Sequence, residues 1–161
     1  MREITLSQNM VALVDDEDYD FLNQRKWFAR RTANEKYYAS RNERDAVTKK
    51  DKTILMHRLI MNAMDYTEVD HWDNNGLNNQ KNNLRFATES QNGINRPKQS
   101  NNSSGYKGVY WNKQAQKWMV RIQINKKNHF VGLFSDLIIA ARAYDKKAAE
   151  LFGEFAKLNF E

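Results

Sequence analysis

The stretch from Gly105 to Gly153 constrains the fold more tightly than any other. GYKGVYW, KWMVRIQI and HFVGLF are short runs rich in β-branched and aromatic residues, joined by the turn-like NKQAQ and NKKN segments. Runs of this length and content predict three antiparallel strands. In KWMVRIQI a period of two puts Trp118, Val120, Ile122 and Ile124 on one face and Met119, Arg121 and Gln123 on the other. SDLIIAARAYDKKAAELFG then predicts a helix: Ser135 or Asp136 can cap its start, Gly153 suits its end, and alanine and leucine dominate between. Leu137, Ala140, Ala141, Tyr144, Ala148 and Leu151 form a stripe able to cover the apolar face of the sheet. His129 falls on that same face and reads as a satisfied core histidine, and Trp118 reads as core packing. The other face is left bare, with Arg121, Gln123 and Lys107 available to a partner. Such a sheet is suited to the major groove of duplex DNA.

The charge distribution agrees. The formal net charge is +6, and the stretch from Arg96 to Ser135 carries eight basic residues and no acid, whereas Met1 to Ile60 is nearly balanced. A basic surface attracts a polyanion. With no cysteine there is neither a disulfide nor a thiolate metal site. Three scattered histidines are too few for a typical zinc site. A metal, if used, is expected to be a hard cation held by oxygen, such as magnesium. No run of 18 apolar residues is present. The opening MREITLSQNM lacks the apolar centre of a signal peptide, so a cytoplasmic protein is expected.

Upstream, short apolar runs alternate with charge. Val11–Val14, Trp27–Phe28, Tyr37–Ala39 and Ile54–Met56 read as strands, and DDEDYD as a solvated turn between two of them. RPKQSNNSSG contains the only proline and has linker composition. The expected organisation is a domain over residues 1–95, a linker over 96–104 and a second domain over 105–161.

Between the β-rich segment and the linker lies VDHWDNNGLNNQKNNLRFATESQN, a histidine beside an aspartate followed by seven asparagines. Phosphodiester cleavage needs a base, and a neutral imidazole with a free pKa of about 6.5 can serve. Asp70 beside His71 can ligate a divalent ion, and an asparagine carbonyl is a second oxygen ligand that adds no charge. TEVDH predicts a strand, DNNG a turn in which Asn74 or Gly76 takes a positive φ, and NLRFAT a second strand. Thr88 and Gln91 form a capping-box pattern that starts a helix, and Asn92 lies about one turn into it, able to face Asp70. His57, in MHRLIM, could lie near this site or end a strand, and we read it as structural.

Two resemblances follow from these motifs. YKGVYW, KWMVRI, VGLF, AARAYDKKAAELFG and AKLNF together resemble an AP2 DNA-binding domain over Gly105 to Phe160. The resemblance implies that Lys107, Tyr110, Arg121, Gln123, Asn128 and Phe130 contact DNA, although Tyr110, Gln123 and Phe130 replace the arginines and tryptophan expected there. The segment V-D-H, a turn, N-N, then N-L-R-x-A-T-x-x-Q-N resembles the HNH motif of phage and intron-encoded homing endonucleases, the ββα-metal nucleases. MVALVDDEDYDFL, KYYAS and MHRLIM resemble the β-rich N-terminal part of those proteins. This implies His71 as general base, Asp70 and Asn92 as metal ligands, and Asn83 as the buttress of the loop that orients the histidine. Trp72 and Asn74 depart from the usual pattern without touching an implied ligand. The expected fold class is α+β: a β-rich N-terminal region with a ββα-metal motif, then an AP2-type three-stranded antiparallel sheet packed on one helix. The expected function is a homing-type endonuclease, a monomer that nicks double-stranded DNA using one Mg2+, with Mn2+ as substitute, in a phage-infected or bacterial cell. The alternative is a non-catalytic AP2-type DNA-binding regulator with a vestigial HNH motif. RNA as substrate is a third reading.

Overall fold

The structure, a computed structural model, describes residues 1–33, 35–98, 101–124 and 127–160. These form a mixed α+β chain of small antiparallel sheets and four α-helices, divided into two compact units, 1–87 and 88–161. No helix among the described residues is long and apolar enough to cross a membrane.

In the first unit β1 (Arg2–Thr5) pairs with β2 (Val11–Val14), α1 spans Asp16–Asn23, and β3 (Phe28–Arg31), β4 (Tyr37–Arg44) and β5 (Asp51–Leu55) form a sheet in that order. Helix α2 (Met56–Ile60) follows, then the hairpin of β6 (Glu68–His71) and β7 (Leu84–Ala87). Ile4, Ala12, Val14, Leu22, Trp27, Ala29, Ala39 and Met56 make the core. Two expectations are corrected. DDEDYD is not a turn: Asp15 stands at the N-cap position and Asp16, Glu17 and Asp18 fill the first turn of α1, where acidic groups are favoured by the positive end of the helix dipole. The strand expected at Ile54–Met56 ends at Leu55, and Met56 instead begins α2 with its side chain fully buried.

Strand β4 is buried on both faces over Ala39 and Ser40. By alternation Tyr37 and Ala39 face the core, and Tyr38 and Ser40 face the other way. Gly76, in the stretch between β6 and β7, lies so close to β4 that a Cβ there would overlap the Tyr37 carbonyl and the Tyr38 ring. That stretch therefore covers the second face of β4.

The second unit begins with α3 (Glu89–Ile94), followed by β8 (Val109–Asn112), β9 (Lys117–Ile124), β10 (Lys127–Phe134) and α4 (Leu137–Phe152). The sheet order is β10-β9-β8, antiparallel throughout. Val109, Val120 and Ile122 pack against Ala140, Ala141, Tyr144 and Ala148 of α4, with half-buried Trp118 and Leu137 beside them. Asp136 caps α4 by accepting a hydrogen bond from the Ile139 N–H at 2.8 Å. Gly108 (φ 74°) has no alternative, because a Cβ would run into the Tyr144 ring. Asn159 clasps the unit: it accepts from the Lys107 N–H at 2.6 Å, and its own backbone N–H donates to Asp145 at 2.8 Å. The AYD and LNF residues singled out in the sequence thus meet in one hydrogen-bonded tie.

Two side chains depart from the helix-and-sheet pattern. Leu151 shares the expected stripe of α4 but is 40% exposed. His129 pairs in register with buried Ile122, yet it is exposed, as is all of Lys127–Phe130 on this edge strand. The core-histidine reading fails because the apolar face is uncovered there. The boundary between units, at Ala87 and Thr88, also precedes the 96–104 stretch. The Lys107 ammonium donates to the Ile94 and Arg96 carbonyls, joining the end of α3 to the start of the sheet, and Ser104 is buried.

Candidate active site

The asparagine-rich stretch forms a loop that satisfies its own backbone. Asn83 is buried at its base. Its Oδ1 accepts from the Asp73 N–H at 3.0 Å, and its Nδ2 donates to Asp73 Oδ1 at 3.0 Å and to the Asn78 carbonyl at 2.8 Å. The Trp72 N–H donates to the Asn83 carbonyl at 2.9 Å. Asp73 Oδ1 also accepts from the Asn75 N–H, and Asn75 Oδ1 from the Leu77 N–H. Asn74 turns the chain with φ 64°, a conformation asparagine tolerates better than most residues. Short amides thus replace the partners that a regular strand or helix would have supplied, and they do so without adding charge.

The loop is also tied to its surroundings. The Leu13 N–H donates to the Leu77 carbonyl and the Asn79 N–H to the Leu13 carbonyl, both at 2.8 Å. Asp15 accepts from the Lys81 N–H at 2.8 Å, so the acidic cluster read as a solvated turn anchors this loop. Lys36 Nζ donates to Asn74 Oδ1 at 3.3 Å.

His71 ends β6 opposite Leu84, and Asp70 pairs in register with Arg85. Both are about 5% exposed. Arg85 donates to Asp70 Oδ2 through Nε at 3.1 Å and Nη2 at 2.9 Å, so the buried carboxylate has its compensating charge. Burial holds the His71 pKa below its ordinary value; the Asn79 amide and the Asp73 and Asp70 carboxylates oppose that shift, and Lys36 reinforces it. At neutral pH the imidazole is therefore neutral and able to take a proton. Asn79 is fully buried, and its Nδ2 donates to the Leu77 carbonyl at 3.1 Å.

Sequence reasoning missed one residue here. His57, read as structural, is buried in α2 with its ring centroid 4.8 Å from that of His71, edge-on at 78°. Tyr38 completes a trio, 5.5 Å from His57 and 5.7 Å from His71. Nearness to the site was one of two alternatives for His57, and α2, only five residues long, carries too little helical periodicity to decide between them.

The remaining candidates lie in the second unit. Asn92 is half-buried on α3, a helix started by the expected capping box of Thr88 and Gln91. Arg121, Gln123 and Asn128 are exposed, and so are Tyr110 at 47% and Phe130 at 63%. Register sets Phe130 beside Arg121 and Asn128 beside Gln123. Alternation puts all five on the face opposite Val120 and Ile122. Lys107 differs from these: it precedes the strands, its ammonium is held by the Ile94 and Arg96 carbonyls, and burial, with Lys157 nearby, lowers its pKa to about 8.

No family model matches the chain. Protein 3.8 of Escherichia phage T7 is 34% identical over 89 residues, which covers 55% of this chain and 73% of that protein. The chain belongs to the protein 3.8 family. A second relative is the uncharacterized HNH endonuclease L560 of Acanthamoeba polyphaga mimivirus, 37% identical over 91 residues, or 56% of this chain. The chain spans 46% of that protein's length.

Proposed function

We propose that this protein 3.8 relative is an HNH endonuclease of the homing type that hydrolyses phosphodiester bonds in double-stranded DNA. The observation that carries the reading is His71: a buried histidine with a lowered pKa, next to Asp70, at the mouth of a loop braced by Asn83. A neutral imidazole takes a proton from water as the water attacks phosphorus in line. The developing imidazolium is favoured by the Asp73 and Asp70 carboxylates. The bond to the 3′ oxygen breaks, that oxygen is protonated from solvent, and the products are 5′-phosphate and 3′-hydroxyl ends.

Asp70 and Asn92 would hold one divalent cation. Their donor set fits a hydrated hard ion such as Mg2+, with Mn2+ as substitute: one carboxylate and one amide oxygen leave several positions to water. No group of three or more His, Cys, Asp or Glu suited to a metal occurs among the described residues. The same Asp70 carboxylate accepts from Arg85 in the structure. Such an ion, when bound, supplies Lewis-acid stabilisation of the phosphate and the leaving oxygen. Tyr110, Arg121, Gln123, Asn128 and Phe130 would contact DNA from the exposed sheet face, with a monomer acting in the cytoplasm of an infected bacterial cell. Lys107 is the weakest member of that set, since its ammonium is already held.

Cleavage of supercoiled plasmid tests the reading. Magnesium-dependent nicking that chelator abolishes, and that falls about a hundredfold or more in His71→Ala with DNA binding retained, is expected. Binding without cleavage on mixed genomic DNA, in magnesium and in manganese, would favour the non-catalytic regulator.

A further inference from the structure

We propose that His57 is a positioning residue for His71, holding the base's imidazole by ring-on-ring packing; the inference rests on His71 being the general base. Three rings from three elements meet here: Tyr38 of β4, His57 of α2 and His71 of β6. All three centroid separations fall between 4.8 and 5.7 Å, with interplanar angles of 55° to 78°. These are the tilted and edge-to-face arrangements in which the positive edge of one ring meets the negative face of another. Each ring therefore blocks rotation of the other two.

The terminal torsion of a histidine is broad when nothing restrains it. A general base, however, must keep one nitrogen within hydrogen-bond reach of the attacking water, and a displacement of about 1 Å can cost roughly a hundredfold in rate. The loop bonds of Asn83 fix the backbone that follows His71, but they do not touch the ring. His57 and Tyr38 do.

His57 is suited to this role and to no proton-carrying one. It is 6% exposed, and its Nδ1 makes no hydrogen bond within the described residues. Burial, with His71 and Arg58 nearby, lowers its pKa to about 3, so the ring stays neutral and contributes shape.

The test compares His57→Phe, which keeps a flat ring, with His57→Leu, which fills similar volume without one, using the full chain and plasmid nicking in magnesium. The Phe variant is expected to keep kcat within about threefold. The Leu variant is expected to lose about ten- to a hundredfold in kcat with KM, melting temperature and DNA affinity unchanged. In 15N-histidine spectra the His71 ring signals, identified by their loss in His71→Ala, are expected to shift and broaden in the Leu variant alone. Wild-type kcat in the Leu variant would overturn the proposal, and so would a Phe variant as inactive as His71→Ala. Should the Leu variant not fold, the wild-type protein decides: absence of a nuclear Overhauser contact between the His57 and His71 ring protons overturns the packing. That contact is read without any cleavage, so failure of the nuclease reading, seen as undiminished nicking by His71→Ala, stays distinguishable from failure of this one.

Discussion

The loop around the candidate base and the sheet of the second unit use polar side chains in opposite ways. Between β6 and β7, Asn79 and Asn83 are buried, and Asn83 and Asp73 bond one another and the loop backbone. On β9 and β10, Arg121, Gln123 and Asn128 stand exposed on a face whose reverse is packed against α4. The first arrangement spends its hydrogen-bonding capacity on rigidity, as a base that must be aimed requires. The second keeps that capacity available for a partner. Polar residues of similar kind therefore carry different consequences: removal in the loop should cost stability, and removal on the sheet should cost affinity.

The largest expected effect is in the loop. Asn83→Ala deletes two hydrogen bonds to Asp73 and one to the Asn78 carbonyl and leaves buried partners unsatisfied, for an expected cost of about 3 kcal/mol. Urea unfolding monitored by tryptophan fluorescence measures it. A cost below about 1 kcal/mol would mean that the loop is not braced from this residue. Acid comes next. His57 has a folded pKa of about 3 against about 6.5 unfolded. Its contribution is thus fully present above pH 6.5 and is lost as pH falls from there toward 3, because the unfolded chain then binds the extra proton. His71 is lowered as well and acts in the same direction. Between pH 7 and pH 5 the wild type should lose roughly 2 kcal/mol more stability than His57→Phe. Parallel losses in the two proteins would mean that His57 is not buried in its neutral form.

Much of this was legible because it is local. The span of β9, the Thr88–Gln91 capping box, the positive φ of Asn74 and the helix ended by Gly153 all follow from neighbours in sequence. The errors share a different origin. His57 joins His71 across 14 residues, through the packing of α2 on β4, and no periodicity marks that approach. Asp15 reads as solvated until Lys81 and Gln80, 66 and 65 residues away, donate to it. His129 was assigned the right face by period two, but alternation says nothing about whether a helix reaches far enough to cover that part of the strand.

On the sheet the comparison predicts a divided outcome. Arg121→Ala should weaken duplex DNA binding by about 1–3 kcal/mol if the guanidinium reaches a base edge. Unfolding should be nearly unchanged, because Arg121 is exposed and its backbone N–H bond to the Gly108 carbonyl survives the substitution. Titrations at two salt concentrations separate base contact from phosphate contact, since only the latter lowers the salt slope by about one. A variant that melts lower while binding equally well would reverse the assignment and make the sheet face structural.

The smallest effect tests the limit of the helix stripe. Leu151 lies three residues beyond Ala148 on α4, yet Ala148 is 1% exposed and Leu151 is 40% exposed. The chain turns at Gly153 immediately afterwards, so the last turn of the helix has less of the unit to pack against. Leu151→Gln should therefore change stability by no more than about 0.5 kcal/mol, as a substitution on an exposed surface does. Its cost in the same urea experiment is the sharpest check on where the core of the second unit stops. A loss of about 2 kcal/mol would be that of a buried leucine and would extend the apolar contact to the end of α4.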